Sequence, residues 1–183
     1  MSHHILRTIL YHHARKFSYK VEELRLPNGA RGEYAYIHHD GAAIAVPVTA
    51  TGEFILVKQY RFPTHKYLLE FPAGTMDEGE QPYHTIDREL AEETGYRAHR
   101  WDYLGAFYIC PGYSSEILHV YLARELEKLS VPPAQDSDEE IEVVSLSGSE
   151  LKTMITARKG LLTIDAKSVT ALYMAEAFLP TAP

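Results

Sequence analysis

The stretch GTMDEGEQPYHTIDRELAEETGY, residues 74–96, decides how the rest of the chain is read. Good helix formers surround Leu90 and Ala91, Pro82 is tolerated in a first turn and Gly95 supplies a stop, so the pattern predicts a helix over 80–94. On that helix Glu89 and Glu93 stand four apart and Glu89 and Glu92 three apart, which puts their carboxylates on adjoining rows of one face. Like charges at this spacing repel. A divalent cation reverses that sign, and hard carboxylate oxygens are what Mg²⁺ or Mn²⁺ takes. Arg88 is placed to hold one or more of these carboxylates in a fork. Gly74 lets the preceding strand turn sharply and brings the Ala73 carbonyl within reach of the same ion. The competing reading is a solvated helix face with an ordinary charge run. It suits each glutamate singly, but not the joint spacing of Gly74, Glu80, Arg88, Glu89, Glu92, Glu93 and Gly95.

On either side of this stretch the period changes from helical to alternating. Residues 17–26 alternate as Phe17, Tyr19, Val21 against Ser18, Lys20, Glu22, and a Pro27-Asn28-Gly29 turn leads into a second alternating run over 33–39, which predicts a hairpin. Further strands are expected over 42–49, 53–61 and 67–71 before the helix, and over 101–109, 117–123 and 141–146 after it. Ser147 and Glu150 have capping-box spacing ahead of a short helix. A last helix over 165–179 carries Ala171, Leu172, Ala175, Phe178 and Leu179 on one stripe. This order predicts an α/β fold, a mixed sheet with helices on its faces. Residues 1–40 form an N-terminal β segment and 41–183 the main domain.

Composition narrows the class. The 183 residues are 45% hydrophobic and 23% charged, with one cysteine and a net charge of −7. A core can form without disulfides, and an acidic chain is a poor general binder of phosphate backbones. No apolar run has the roughly 20 residues of a membrane helix, and residues 1–13 lack a signal-peptide core, which predicts a soluble protein, cytoplasmic by default. The acid is unevenly spread. Residues 70–96 hold eight acids against Arg88 alone, and 136–142 hold five with no base, leaving a mildly basic body.

The spacing of residues 74–96 resembles the signature of the Nudix hydrolases, and the resemblance extends over most of 41–178. It implies an α/β/α sandwich around a mixed sheet, and hydrolysis of a nucleoside diphosphate linked to another moiety. Under it Glu89, Glu93 and Glu92 bind metal, Ala73 adds its carbonyl, and Arg88 and Glu80 organise them from outside. The flanks Gln59-Tyr60-Arg61, Leu69-Glu70-Phe71-Pro72-Ala73-Gly74, Pro111-Gly112 and Glu116 are similar to the ADP-ribose pyrophosphatase branch, with Pro111 sixteen residues past Gly95. Asp165-Ala166-Lys167 looks like the feature of broader nucleoside diphosphate sugar hydrolases. Asp165 suits a helix start; Lys167 there opposes the helix dipole, so it either pairs with Asp165 in solvent or faces an anionic ligand. The substrate contacts implied are Arg61, Glu70, Pro111, Glu116, Asp165 and Lys167. The base that takes the water's proton is expected from the acidic loop, as Glu139 or Glu140. Phe17, Tyr19, Tyr34 and Tyr36 are candidates to stack on the nucleotide base.

Two or more Mg²⁺ per site, with Mn²⁺ possible, are implied, as is a homodimer in which the N-terminal strands cross to the partner. A strict ADP-ribose pyrophosphatase is the alternative within the branch. A non-catalytic nucleotide sensor is another, disfavoured because none of the signature's glutamates is lost, and an isomerase on the same scaffold would need acid and base residues not visible here. None of the ten histidines has metalloprotease spacing, and none is given a catalytic role.

Overall fold

The computed structural model describes residues 3–134, 140–156 and 164–179. At its centre is β4 (Ala42–Pro47), buried along its whole length. Its alternation sorts the core into two halves. Ala42, Ile44 and Val46 face one side with Leu118, Val120 and Leu122 of β9 (Ile117–Lys128). Ala43 and Ala45 face the other with Tyr121 and Ala123. β4 and β9 run parallel, while β7 (Ala73–Thr75) and β8 (Tyr96–Tyr108) flank them antiparallel, in the order β7-β4-β9-β8. This is the expected mixed sheet, and a run buried on both faces is what such a central strand requires.

The small side chains of Ala43, Ala45, Ala98 and Ala123 let α1 (Pro82–Thr94) lie close, with Ile86 and Leu90 fully buried between. Gly95 ends α1 in the left-handed region at φ 71, its N–H returning to the Ala91 carbonyl at 3.0 Å. On the opposite side, Leu151 of α2 (Gly148–Thr156) and Ala171, Leu172 and Ala175 of α3 (Ala166–Glu176) close the larger core. The result is an α/β/α sandwich. A second sheet, β10-β5-β6, joins β5 (Glu53–Arg61), β6 (Lys66–Glu70) and β10 (Ile141–Ser147) antiparallel.

The Ser147–Glu150 box forms: Ser147 N–H and hydroxyl both donate to Glu150, at 2.9 and 2.6 Å, and the Glu150 N–H returns to the hydroxyl at 3.3 Å. Asp165 caps α3 by accepting the Ser168 N–H at 2.9 Å. The apolar stripe of α3 runs out early. The helix ends at Glu176, so Phe178 leaves the stripe and stands half exposed, while Leu179 still packs on the core.

Ahead of this body stands a three-stranded antiparallel sheet, β1 (His4–His13), β2 (Ser18–Arg25) and β3 (Arg31–His38), in chain order. The Asn28-Gly29 turn is built as expected, with the Asn28 side chain accepting the Ala30 N–H at 3.0 Å and Gly29 at φ 84. β1 was not foreseen. Its pairing with β2 slips between Ile5 and Arg7 and again between Thr8 and Leu10, and each bulge breaks the alternation by which strands are read. The sheet is fastened to the body at its far corner. Ile37 N–H donates to the Tyr113 carbonyl at 2.8 Å, Ser115 N–H to the Ile37 carbonyl at 3.0 Å, and His39 N–H to the Ser115 hydroxyl at 2.9 Å.

Candidate active site

Two clefts, of about 430 and 410 Å³, meet along β7 and share Lys16, Ala73, Gly74 and Thr75 in their walls. The first is walled by α1 through Arg88, Glu89 and Glu92, and by Asp77 and Glu78. The second is walled by Arg61, Glu116, Asp165 and Lys167. The candidates named from sequence thus fall into two groups on either side of Gly74.

On the α1 side, Glu93 continues the buried stripe of Ile86 and Leu90 and is only 4% exposed. A carboxylate there needs a partner, and the Ala73 N–H supplies one at 3.0 Å. Glu89 and Glu92 lie on the adjoining face, where the Arg88 guanidinium donates to them at 2.8 and 3.1 Å and stands 3.7 Å from Glu80. Glu80 in turn accepts the Asp77 N–H at 3.1 Å. Burial raises its carboxyl, but that bond, a Thr85 contact and the Arg88 charge hold it below the ordinary range. Gly74 is required for the approach of Glu89, since a Cβ placed on it would stand 2.2 Å from the Glu89 Oε1.

The donor set suits a hard divalent cation, being all oxygen with room made by Gly74. Among the described residues, no three carboxylate or imidazole groups stand gathered as a ready-made ion site. One Arg88 nitrogen donates to both Glu89 and Glu92, and the Ala73 N–H donates to Glu93.

On the other side, Arg61 at the end of β5 forks onto Glu70 of β6, with Nε to Oε1 and a terminal nitrogen to Oε2 each at 2.7 Å. Lys167 donates to the same carboxylate at 3.0 Å and also bonds Asp165. Lys167 therefore pairs with Asp165, yet it is mostly withdrawn from solvent. Two links bring α3 here: a parallel bridge between Leu69 and Ile164, and the Phe71 N–H donating to the Ser168 hydroxyl at 2.8 Å. The Glu70 side chain is 2% exposed, so its bonds go to Arg61 and Lys167 rather than into the cleft. Burial pushes its carboxyl up, but the Arg61 fork and the Lys167 charge outweigh that and leave it below the ordinary range. Burial likewise opposes the charge on Lys167, and Glu70 and Asp165 override it, so its ammonium is held above its ordinary value.

Other candidates stand apart. Glu116 is half-buried in the second cleft, whereas Pro111 occupies an exposed turn outside both clefts. Glu140 accepts the Tyr67 hydroxyl at 3.1 Å, and the Tyr67 ring packs at a tilt against Tyr60, the strand neighbour of Arg61 that points to the opposite face. Glu139 lies outside the described residues. Phe17 lines the first cleft. Tyr36 donates to Glu22 at 2.7 Å, and burial with that bond pushes its hydroxyl up to about 12. Tyr19 and Tyr34 are exposed on the N-terminal sheet rather than in a core. Reasoning from sequence passed over His13, Arg15, Lys16 and His38, all in the wall of the first cleft. Two consecutive cations at a strand end were the available signal.

Residues 38–163 match the family model described as NUDIX domain. An ADP-ribose pyrophosphatase of Bacillus subtilis (strain 168) is 39% identical over 152 residues, 83% of this chain and 80% of that one. A GDP-mannose pyrophosphatase of Yersinia enterocolitica is 34% identical over 127 residues, 66% of each chain. A solved structure of an ADP compounds hydrolase superposes with a TM-score of 0.79 at 25% identity, covering 97% of this chain and 94% of its own. The matched residues take in Gly74 and the whole of α1, with Glu89, Glu92 and Glu93 along it: the chain belongs to the NUDIX family.

Proposed function

We propose that this chain hydrolyses the pyrophosphate linkage of nucleoside diphosphate sugars, ADP-ribose among them, to a nucleoside monophosphate and a sugar phosphate. The observation that carries the reading is the junction at Gly74, where a carboxylate helix meets a cleft walled by Arg61 and Lys167. The relatives that act on ADP-ribose and GDP-mannose support the same substrate class.

Glu89, Glu92 and Glu93, with the Ala73 carbonyl, would hold two or more divalent ions, Mg²⁺ or Mn²⁺. When bound, these supply charge neutralisation at the phosphates and a more acidic water. The protein's own residues do the rest. Arg88 bridges Glu89 and Glu92 through one guanidinium nitrogen and holds both in the wall of the first cleft. Arg61 and Lys167 bring positive charge to the diphosphate from the wall of the second cleft, while the Arg61 fork itself stays on Glu70. Glu116 accepts hydroxyls of the distal sugar, and the Asp165–Lys167 pair extends the substrates from ADP-ribose to other nucleoside diphosphate sugars. Glu139 or Glu140 takes the proton of the attacking water. Little covalent work is needed in such a reaction beyond positioning and charge.

The working unit is a homodimer. β1 leaves Ile5, Leu6, Ile9 and Leu10 40–55% exposed along an edge strand, an apolar surface that a second copy would cover. The test is a panel of ADP-ribose, ADP-glucose and GDP-mannose with Mg²⁺ or Mn²⁺, read by phosphate products, with mass measured in solution alongside. Turnover of ADP-ribose alone would favour the strict pyrophosphatase, and no turnover would overturn the reading.

A further inference from the structure

Three backbone groups pin the link between β6 and β7, each to a different element. The Phe71 N–H donates to the Ser168 hydroxyl of α3 at 2.8 Å. The Pro72 carbonyl accepts the Ala45 N–H of β4 at 3.0 Å, and the Ala73 N–H donates to Glu93 of α1 at 3.0 Å. The link lies in the core: Phe71 is 1% exposed and packs its ring against Phe54, and Ser168 is wholly buried. A buried N–H needs an acceptor, and Ser168 brings one to Phe71 from 97 residues further along the chain.

Ser168 is also tied from its other side. Its own N–H donates to Asp165 at 2.9 Å, and its neighbour Lys167 donates at 3.0 Å to Glu70, the residue before Phe71. The first turn of α3 thus grips two consecutive residues of the strand end. Ala73, in the wall of both clefts, then meets the carboxylate helix. Little slack separates the two grips. Pro72 has its φ locked by the ring, and Phe71, standing before a proline, is confined to extended backbone.

We propose that Ser168 is a positioning residue of the cation site: by holding the Phe71 N–H it fixes the link at its α3 end and so sets the Ala73 peptide against Glu93. This rests on the metal-dependent reading above. Ser168 touches neither ion nor substrate in this role; its effect passes through Phe71 and Pro72 to Ala73.

The test measures Mn²⁺ binding to the substrate-free protein, from the paramagnetic resonance signal of the unbound ion. It compares the parent with Ser168→Ala, Ser168→Cys and Leu172→Ala. Alanine removes the acceptor, and cysteine keeps the size with a weaker one. Leu172, buried in the same helix, is the control: its truncation loosens α3 but leaves the bond to Phe71 in place. The dissociation constant for Mn²⁺ is expected to rise about tenfold in Ser168→Ala, the lower end of what outer partners of a metal site are worth. It rises less in Ser168→Cys. In Leu172→Ala it stays within about twofold of the parent, although the melting temperature falls as far or further. With Mn²⁺ saturating, kcat for ADP-ribose in Ser168→Ala returns to within about threefold of the parent. If the parent binds Mn²⁺ but cleaves no diphosphate, the pyrophosphatase reading fails while the affinity ratio still judges Ser168. A parent that binds no Mn²⁺ overturns both. Parental affinity in folded Ser168→Ala or in Ser168→Cys, or an equal loss in Leu172→Ala, would overturn the inference.

Discussion

Gly74 and Glu89 are fitted to each other so closely that a methyl group on the first would stand 2.2 Å from Oε1 and 2.3 Å from Cγ and Cδ of the second. Three atoms of the side chain are involved, so Glu89 cannot swing its tip aside; the whole carboxylate must leave. The backbone of Gly74 needs no left-handed conformation, which separates the steric cost from strain. Gly74→Ala is therefore expected to fold, with stability within about 1 kcal/mol of the parent. The Mg²⁺ concentration for half-maximal activity should rise about ten- to a hundredfold, the usual loss when a ligand's setting is disturbed. A metal titration of rate, with a thermal melt as control, checks both halves.

Glu70 predicts how the fold responds to acid. Its carboxyl is held below the ordinary range, because the Arg61 fork and the Lys167 charge outweigh burial. The unfolded chain therefore binds the extra proton first as pH falls. The stability this group contributes is fully present above the unfolded value of about 4.3 and is lost as pH drops through the folded one. Urea midpoints measured between about pH 3 and 7 should fall on the acid side, and Glu70→Gln should flatten that limb. The same variant should lose about 3 kcal/mol at neutral pH, since it leaves two cations facing a neutral amide. An acid limb of unchanged slope in Glu70→Gln would refute the assignment.

These two relationships differ in how far they can be read from the chain. Glu89, Glu92 and Glu93 are neighbours on one helix, so three- and four-residue spacing alone puts them together. The Arg61–Glu70–Lys167 network depends on the β5–β6 register that sets Val57 opposite Glu70, and on a parallel bridge between Leu69 and Ile164. Nothing local encodes that bridge. The Asp165 cap was legible from its residue type, yet the partner that withdraws Lys167 from solvent was not. β1 was hidden for another reason, two bulges that destroy its period. Lys16 reaches the cleft only because Ile37 and Ser115 dock the N-terminal sheet, a contact between distant segments.

Glu139 and Glu140 are expected to separate on mutation. The Glu140 carboxylate receives the Tyr67 hydroxyl at 3.1 Å, on the face of β5 opposite to Arg61. A base must come within hydrogen-bond reach of the water it activates. Glu140→Gln should then keep activity within about threefold, while Glu139→Gln should lose about a hundredfold or more in kcat. Rates at saturating substrate and Mg²⁺ decide it. The reverse order would make Glu140 the base and require its bond to Tyr67 to break before catalysis.

Lys167 offers the sharpest test of sugar preference, because its position in the first turn of α3 runs against the helix dipole. It is held there by Glu70 at 3.0 Å and by Asp165, and it remains in the wall of the second cleft. Two roles are thus combined: countercharge to a buried carboxylate, and an edge presented to the substrate. Lys167→Ala would remove both, so a fall in activity alone would not distinguish them. The ratio between substrates does. If the ammonium serves a hydroxyl of the distal hexose, kcat/KM for GDP-mannose or ADP-glucose should fall about tenfold further than for ADP-ribose, the range of one charge-assisted hydrogen bond. Lys167→Arg should restore stability while recovering the hexose preference only in part, since a planar fork replaces a point charge. An equal loss on all three substrates would leave Lys167 as a countercharge only, and the Asp165–Lys167 pair would then say nothing about which sugar is bound.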